Sequence, residues 1–178
     1  MCSSDLTESE DKDVAEDADK AHLKLAELEQ AGKLSAIVTQ NIDGLHQAAG
    51  SKNVFELHGS VHRNYCQKCG KFFDVNYVVN ADGVPYCDEC GGIIKPDVVL
   101  YEEGLDSQTI NGAVNAIRQA DMLIIGGTSL VVYPAAGMID YFRGKYLAVL
   151  NRDATSRDKQ ADLCITDPIG EVLGRIRV

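Results

Sequence analysis

Four cysteines in two matched pairs constrain this sequence more than any other feature. They stand as Cys66-Gln67-Lys68-Cys69 and Cys87-Asp88-Glu89-Cys90, with seventeen residues between the pairs. This spacing is typical of a structural zinc site, in which each short turn offers two thiolates to one tetrahedral ion. Redox dithiols or disulfides are the competing interpretation. Two matched pairs behind an N-terminus without the pattern of a secretory signal favour zinc.

Helical and strand patterns alternate on both sides of the cysteines. Apolar residues recur at helical spacing from Ala21 to Ala31, and Gly32 suits the end of that helix. The continuous apolar run Met122–Ile125 predicts a buried strand. This alternation predicts an α/β fold with a parallel sheet and helices on both faces. The other predicted strands are 34–39, 54–57, 146–150 and 163–166, and the other helices are 44–49, 107–119, 134–142 and 169–176.

The charge of the chain is concentrated at its N-terminus. The 178 residues carry a net charge of −10, and residues 1–31 hold ten acidic residues against three lysines. With few apolar side chains, residues 1–20 are predicted to be an acidic disordered leader, or an acidic interaction tail. The acidic balance argues against a nucleic-acid-binding zinc ribbon. No apolar run approaches the roughly 20 residues that span a bilayer, so we expect a cytoplasmic protein without a membrane partner.

Polar residues follow four of the predicted strands. Ligands of open parallel sheets bind beyond the carboxyl ends of the strands, so these residues predict a pocket. Each also has a simpler interpretation: Asn41 and Asp43 suit helix caps, and Gly126-Gly127 suits a tight turn. The chain has no Gly-x-Gly-x-x-Gly, so glycine spacing alone predicts no nucleotide site. The four segments are Thr39-Gln40-Asn41-Ile42-Asp43, His58-Gly59, Gly126-Gly127-Thr128-Ser129 and Asn151-Arg152.

Together with the cysteine pairs and Lys95-Pro96-Asp97-Val98-Val99, these segments resemble the sirtuins, NAD-dependent protein deacylases. The resemblance covers roughly Ala21 to Val178. It implies a partial Rossmann-like NAD-binding domain over 21–60 and 95–178, with a small zinc-ribbon module at 61–94. It also implies a monomer that acts on acyl-lysine proteins or peptides.

The resemblance assigns roles residue by residue. His58 would be the general base, and a histidine suits this role because the free side chain titrates at about pH 6.5. The products would be free lysine, nicotinamide and an O-acyl-ADP-ribose. The implied NAD-binding residues are Gln40, Asn41, Asp43, Gly127, Thr128, Ser129, Asn151 and Ile169. The implied peptide-binding residues are Val98, Val99, Leu100 and Tyr101, and the implied zinc ligands are Cys66, Cys69, Cys87 and Cys90.

One expected sirtuin segment has no counterpart in this sequence. Sirtuins begin with a strand, a Gly-Ala-Gly-x-Ser turn that cradles the NAD phosphates, and a mobile loop, and none of these occurs here. We therefore expect a sirtuin fragment without its central N-terminal strand. The strands around Ile37 and Ile124 would then have exposed edges, and the 178 residues alone would be a poor enzyme. A zinc-binding module that binds peptides without catalysis is the alternative.

Overall fold

The computed structural model describes residues 20–178. Residues 20–30 form the helix α1, and Gly32 follows it with a φ of 68°, a backbone conformation that favours glycine. The strands are β1 (Ile37–Thr39), β2 (Val54–Glu56), β3 (Gly59–Cys66), β4 (Phe72–Phe73), β5 (Ile94–Val98), β6 (Met122–Gly126), β7 (Tyr146–Leu150) and β8 (Leu163–Ile165). The other helices are α2 (Leu45–Ala48), α3 (Val75–Val79), α4 (Ser107–Gln119), α5 (Ala135–Met138) and α6 (Ile169–Gly174).

The chain divides into two compact units. The sheet unit comprises residues 20–37, 45–54 and 111–178 of the described chain, and the cysteine unit comprises 38–44 and 55–110. The predicted boundaries at 21–60, 61–94 and 95–178 stay a prediction. The predicted leader, residues 1–20, lies outside the described residues except for its last position.

The sheet unit is built on three parallel strands in the order β6-β7-β8. Successive residues of β7 point to opposite faces, so the strand contributes to two separate cores. Ala148 and Leu150 pack with Leu173 of α6 and with Ala21 of α1. Leu147 and Val149 pack on the other face with apolar residues that include Ile125, Leu130 and Ile139. The predicted parallel sheet with helices on both faces is therefore confirmed.

The cysteine unit contains an antiparallel sheet in the order β4-β3-β5. A small buried cluster on this sheet consists of Cys66, Phe73, Cys87 and Ile94, with Val78 and Cys90 packed against it. Two of the four buried members are cysteines of the predicted zinc site. The apolar packing of this unit is thus centred on the thiols themselves.

The short strands β1 and β2 form a pair of their own. Ile37 N–H donates to the Asn53 carbonyl and Leu57 N–H donates to the Thr39 carbonyl, so the bonds advance in the same direction along both strands. Within residues 20–178, β1 pairs only with β2, and β6 pairs only with β7. The exposed edges expected at the Ile37 and Ile124 strands stay a prediction.

Cys164 corrects one interpretation of the sequence. Its apolar strand predicts a buried thiol, whereas the side chain is exposed. The physical reason is the position of β8, which in the described part of the chain pairs only with β7 and leaves Leu163 and Cys164 open to solvent. Cys2 lies outside the described residues. Among the helices of residues 20–178, none is long and apolar enough to cross a membrane.

Candidate functional site

His58 follows β2 and is held by the backbone of the neighbouring loop. Its Nδ1 lies 2.9 Å from the Gln40 carbonyl oxygen. Because a carbonyl only accepts hydrogen bonds, Nδ1 carries the proton in the neutral ring, and Nε2 keeps its lone pair. The ring is half-buried. This arrangement gives His58 a fixed orientation and one nitrogen that can accept a proton.

The loop from Gln40 to Gly44 is fixed to the residues around β3 at several points. Leu57 N–H donates to the Thr39 carbonyl, and Val61 N–H donates to the Ile42 carbonyl at 3.1 Å. Asn41 N–H donates to the Thr39 hydroxyl at 3.0 Å. The backbone that carries the predicted nicotinamide-end residues therefore lies beside His58, and the structure brings these residues together.

His62 supports this loop, a role that the sequence does not reveal. Its Nε2 lies 2.8 Å from the Asp43 carbonyl oxygen. Gly44 has a φ of 71°, and a Cβ there would lie 2.8 Å from the His62 ring. From the sequence alone, His62 is interpreted as a surface histidine or a core histidine with its hydrogen bonds satisfied, without a role at the site. The contact joins residues nineteen positions apart. The local sign of it in the sequence is Gly44, whose missing side chain leaves room for the His62 ring.

Gly59, the residue after His58, has no room for a side chain. Its φ is 77°, and a Cβ would lie 1.9 Å from the Asp97 carbonyl oxygen of β5. Both the conformation and the close approach of β5 therefore require glycine. Gly59 therefore fixes where β3 begins, directly after the histidine.

The predicted peptide-binding segment begins at the end of β5. Val99 N–H donates to the His58 carbonyl at 3.0 Å, which joins this segment to the histidine. Beyond it, Leu100 and Tyr101 are exposed. Lys95 Nζ contacts both the Val98 carbonyl and the Glu103 carboxylate at 3.1 Å. The segment is thus held next to the histidine on one side, it turns after Leu100, where Glu103 N–H donates to the Leu100 carbonyl, and it leaves Leu100 and Tyr101 open to solvent.

The remaining predicted NAD-binding residues lie at the carboxyl ends of strands in the sheet unit. β6 ends at Gly126, and Gly127 follows with a φ of 60° and open space where a Cβ would stand. Thr128 Oγ1 accepts the Leu130 N–H at 3.2 Å, which fixes the turn, and Ser129 is exposed. This turn presents backbone and hydroxyl groups beyond the end of the sheet.

Asn151 and Ile169 lie at the same end of that sheet. Asn151 follows β7, and its N–H donates to the Ile165 carbonyl of β8 at 3.0 Å. A Cβ on Gly126 would lie 2.5 Å from Ile169 Cδ1, so the isoleucine at the start of α6 covers this glycine. Gly127 N–H also donates to the Leu150 carbonyl at 3.3 Å. The structure therefore brings the glycine turn, Asn151 and Ile169 together.

The four predicted zinc ligands converge on one point. Their sulfur atoms all lie within 4.8 Å of one another. The Cys66 and Cys90 sulfurs are 3.4 Å apart, and those of Cys69 and Cys87 are 3.6 Å apart. A tetrahedral zinc with Zn–S bonds of about 2.3 Å requires sulfurs roughly 3.8 Å apart, whereas a disulfide requires about 2.05 Å. The geometry fits a zinc site.

The pKa values of the thiols also favour a bound cation. The backbone N–H of Cys69 lowers the pKa of the Cys66 thiol to about 6. Although the Lys71 N–H has a lowering effect, the sulfur of Cys90 raises the pKa of the Cys69 thiol to about 12. One thiolate therefore forms near neutral pH and opposes ionisation of its neighbours. A divalent cation at the centre would stabilise four thiolates together.

Glycines close the two cysteine turns. Gly70 and Gly91 have φ values of 74° and 65°, and their N–H groups donate to the carbonyls of Cys66 and Cys87. A Cβ on Gly92 would lie 2.8 Å from the Cys66 sulfur. The backbone thus folds tightly against the sulfurs, as a closed structural site requires.

The donor groups in both units also suit NAD. Amide and carboxylate side chains follow β1, and hydroxyls with a glycine turn follow β6. Carboxamides and carboxylates can bond an amide or ribose hydroxyls, and exposed turn N–H groups can bond phosphate oxygens. The open space at Gly127 leaves the backbone accessible to a ligand.

These features define a class of protein: an α/β protein with a parallel sheet and a four-cysteine zinc-ribbon site. A sequence model of the Sir2 family matches residues 7–134, and the chain belongs to this family. The predicted sirtuin resemblance is confirmed. The match begins inside the predicted leader rather than at Ala21.

Curated relatives and solved structures agree with this assignment. The chain is 65% identical over 154 residues to an NAD-dependent protein deacetylase of Clostridium acetobutylicum, covering 86% of this chain and 63% of that protein. The corresponding protein of Clostridium perfringens is 65% identical over 157 residues, covering 88% and 64%. This chain thus spans less than two thirds of the length of these relatives.

Two solved structures have the same fold. A Sir2 structure in complex with the inhibitor EX-527, 2'-O-acetyl-ADP-ribose and a deacetylated p53 peptide matches with a TM-score of 0.81 at 40% identity, covering 88% of this chain and 69% of that one. A Sir2 structure with p53 peptide and NAD+ matches with a TM-score of 0.81 at 39% identity, covering 88% and 67%.

Proposed function

We propose that this protein takes part in NAD-dependent removal of acyl groups, acetyl above all, from protein lysines. The observation that carries the proposal is the hydrogen bond between His58 Nδ1 and the Gln40 carbonyl, because it leaves Nε2 able to accept a proton. Relatives named NAD-dependent protein deacetylases support the same activity. The reaction is a group transfer from lysine to the ADP-ribose part of NAD, and the cytoplasm remains the predicted location.

The chain's own residues have separate tasks in this proposal. Gln40, Asn41 and Asp43 hold the nicotinamide and ribose end of NAD, and His58 Nε2 takes a proton from a ribose hydroxyl. Gly127, Thr128 and Ser129 hold ribose and phosphate, while Asn151 and Ile169 hold the adenosine end. When bound, NAD supplies the ribose carbon that accepts the acyl oxygen as nicotinamide leaves.

The substrate peptide is proposed to bind as an extended strand. Val98, Val99, Leu100 and Tyr101 form the receiving segment, and added backbone hydrogen bonds are the common way in which such a segment holds a peptide. Because Val99 N–H donates to the carbonyl of His58, the segment and the base are held in one register. The acyl-lysine would thereby be oriented relative to the base.

The zinc is proposed to be structural. Cys66, Cys69, Cys87 and Cys90 occupy all four tetrahedral positions, so no position is open for a reacting water. We also propose a zinc-ribbon module at 61–94, flanked by NAD-binding parts at 21–60 and 95–178. The protein is proposed to be a monomer.

The test is nicotinamide release by the whole gene product from NAD and an acetyl-lysine peptide. We expect His58→Ala to lower kcat at least about a hundredfold, because a positioned general base contributes on that order. The matched control is His22→Ala, which removes a histidine of α1. It should retain turnover, and both variants should keep one zinc per chain.

The binding data separate the proposal from its alternative. His58→Ala should still bind NAD in calorimetry, because the residue is proposed to move a proton rather than to hold the dinucleotide. Equal turnover by His58→Ala and the unchanged protein would contradict the assignment. Peptide binding with no NAD-dependent release by the unchanged protein would instead favour a non-catalytic zinc-binding module.

A further inference from the structure

An open groove lies on the cysteine unit, between β4, α3 and the segment that leads to the second cysteine pair. Its volume is about 720 Å³. Phe72, Tyr77, Val84 and Tyr86 line it, and each of these large side chains is exposed. Aromatic and aliphatic surface of this kind, concentrated in one groove, is typical of an interaction site.

The walls of the groove are held in place by specific contacts. Asp74 caps α3, because its carboxylate accepts the Tyr77 N–H at 2.9 Å. The Tyr77 hydroxyl donates to the Tyr86 carbonyl at 3.0 Å and so joins the helix to the opposite wall. The Tyr77 ring also packs on the buried ring of Phe73, with the centroids 4.5 Å apart. The groove is therefore preformed.

The charge of the groove selects its partner. Asp74, Asp82 and Asp88 line it together with a single cation, Lys71. The Lys71 ammonium contacts Asp88 at 2.8 Å and Glu89 at 2.9 Å, so its charge is already balanced. A ligand therefore meets an excess of carboxylates beside exposed aromatic rings. These two kinds of group bind ammonium and guanidinium ions, the carboxylates by charge and the rings by cation–π contact.

We propose that this groove binds a lysine- or arginine-bearing segment of the protein substrate. This segment of the substrate is separate from the one that carries the acyl-lysine. The charged heads would lie near Asp82, and the aliphatic stems would cover Val84 and the aromatic walls. The naming of the partner as the substrate rests on the proposed deacylase function. The groove would favour acyl-lysine sites in basic stretches over those in neutral or acidic stretches.

Two peptides test the groove by itself. One alternates lysine and leucine, and the other has glutamine in place of every lysine. Their dissociation constants are measured by calorimetry on the zinc-loaded whole protein without NAD. We expect the lysine peptide to bind about tenfold more tightly, with an advantage that falls as salt rises.

A double variant removes the proposed contacts but keeps the fold. Asp82→Asn with Tyr86→Ala leaves the cap at Asp74 and the Tyr86 carbonyl in place, and it should reduce the lysine preference to less than about twofold. The matched control, Glu27→Gln with Tyr141→Ala, removes one charge and one ring from the sheet unit. It should keep the full preference, and zinc content should stay at one per chain in both proteins.

The kinetic part of the test joins the groove to the proposed reaction. An acetyl-lysine peptide is extended, through a glycine-serine linker, with either the lysine peptide or the glutamine peptide. The lysine extension should lower KM several-fold with kcat unchanged.

If no peptide is turned over, the deacylase proposal fails, while the calorimetry still tests the groove proposal. Equal binding of the two peptides overturns the groove proposal, as does a lysine preference that survives in the double variant. Protein dimers that dissociate in Tyr86→Ala would also overturn it, because a second copy would then fill the groove.

Discussion

The sheet unit and the cysteine unit are stabilised in different ways. In the sheet unit, both faces of β7 pack against helices, and the buried members of its two clusters are alanine, valine, leucine and isoleucine. In the cysteine unit, two of the four buried core residues are cysteines whose sulfurs converge on one point. Apolar packing is sufficient in the first, whereas the second is too small to bury much surface and depends on a metal to offset the entropy of ordering.

The same contrast extends to the candidate functional residues. Gly127 and Asn151 follow strands whose register is set by apolar packing. His58 is held mainly by hydrogen bonds to backbone, through its ring to Gln40 and through its carbonyl to Val99. We infer that the geometry around His58 is the more sensitive of the two to the state of the zinc site, because β3 leads directly from the histidine to Cys66.

The largest expected effect comes from removing the metal. A strong chelator, or Cys66→Ser, should unfold residues 61–94, because structural zinc in small modules contributes on the order of 10 kcal/mol of apparent binding free energy. In hydrogen exchange, the amides of β3 and β5 should lose protection, and those of β6 and β7 should keep it. Activity should be lost through unfolding rather than through the chemical step.

Cys164→Ser is the matched control, because Cys164 is an exposed cysteine of the sheet unit. It should retain one zinc and full protection of β3. Well under one zinc per chain in freshly purified protein, together with unchanged protection in Cys66→Ser, would show that the cysteine unit is stabilised without metal.

The second-largest expected effect comes from weakening the apolar core of the sheet unit while leaving the zinc site unchanged. Leu173 is only 1% exposed and packs with Ala21, Ala148 and Leu150. Leu173→Ala should destabilise this unit by about 3 kcal/mol through lost burial and a cavity. Urea unfolding followed by exchange at β7 measures this change. The zinc content should not change.

Leu163 provides the comparison for that variant. It is a leucine of the same unit that is 50% exposed. Leu163→Ala should therefore cost less than about 1 kcal/mol. If the two alanine variants were equally unstable, packing on α6 would not be what stabilises the sheet unit.

The sequence predicted elements well where its periodicity was strong. The predicted helix 107–119 and the predicted strand 146–150 have the bounds of α4 and β7. The strand predicted over 34–39 is shorter in the structure, Ile37–Thr39. Apolar content extends to Leu34, but pairing with β2 begins at Ile37, where the first hydrogen bond forms. Pairing with a distant strand therefore fixed a boundary that local pattern could not.

The candidate site also contains features that the sequence predicted and features that it did not. The cysteine spacing predicted the convergence of the four sulfurs, because the chemistry of one ion requires that spacing. Three other features of the site were not predictable. They are the antiparallel pairing of β3 with β5, the close contact that requires glycine at position 59, and the hydrogen bond between His62 and the Asp43 carbonyl. Each depends on segments far apart in the chain, and no periodicity records them.

The smallest expected effect is a pH dependence at Glu29 of the sheet unit. The N–H groups of Lys52 and Asn53 donate to its carboxylate at 2.9 and 2.8 Å and hold its pKa below the ordinary value of 4.5. A lowered pKa contributes stability that is present above the ordinary value and is lost as the pH falls through the folded-state value. Glu29→Gln should therefore cost about 0.5 kcal/mol at pH 7, because solvent screens this site, and the difference should vanish as the pH falls below the lowered pKa of the folded state. Urea unfolding across this pH range measures the difference, with Glu27→Gln as the control for loss of one charge on α1. A difference between Glu29→Gln and the unchanged protein that stayed constant with pH would mean that the carboxylate acts through packing and not through its charge.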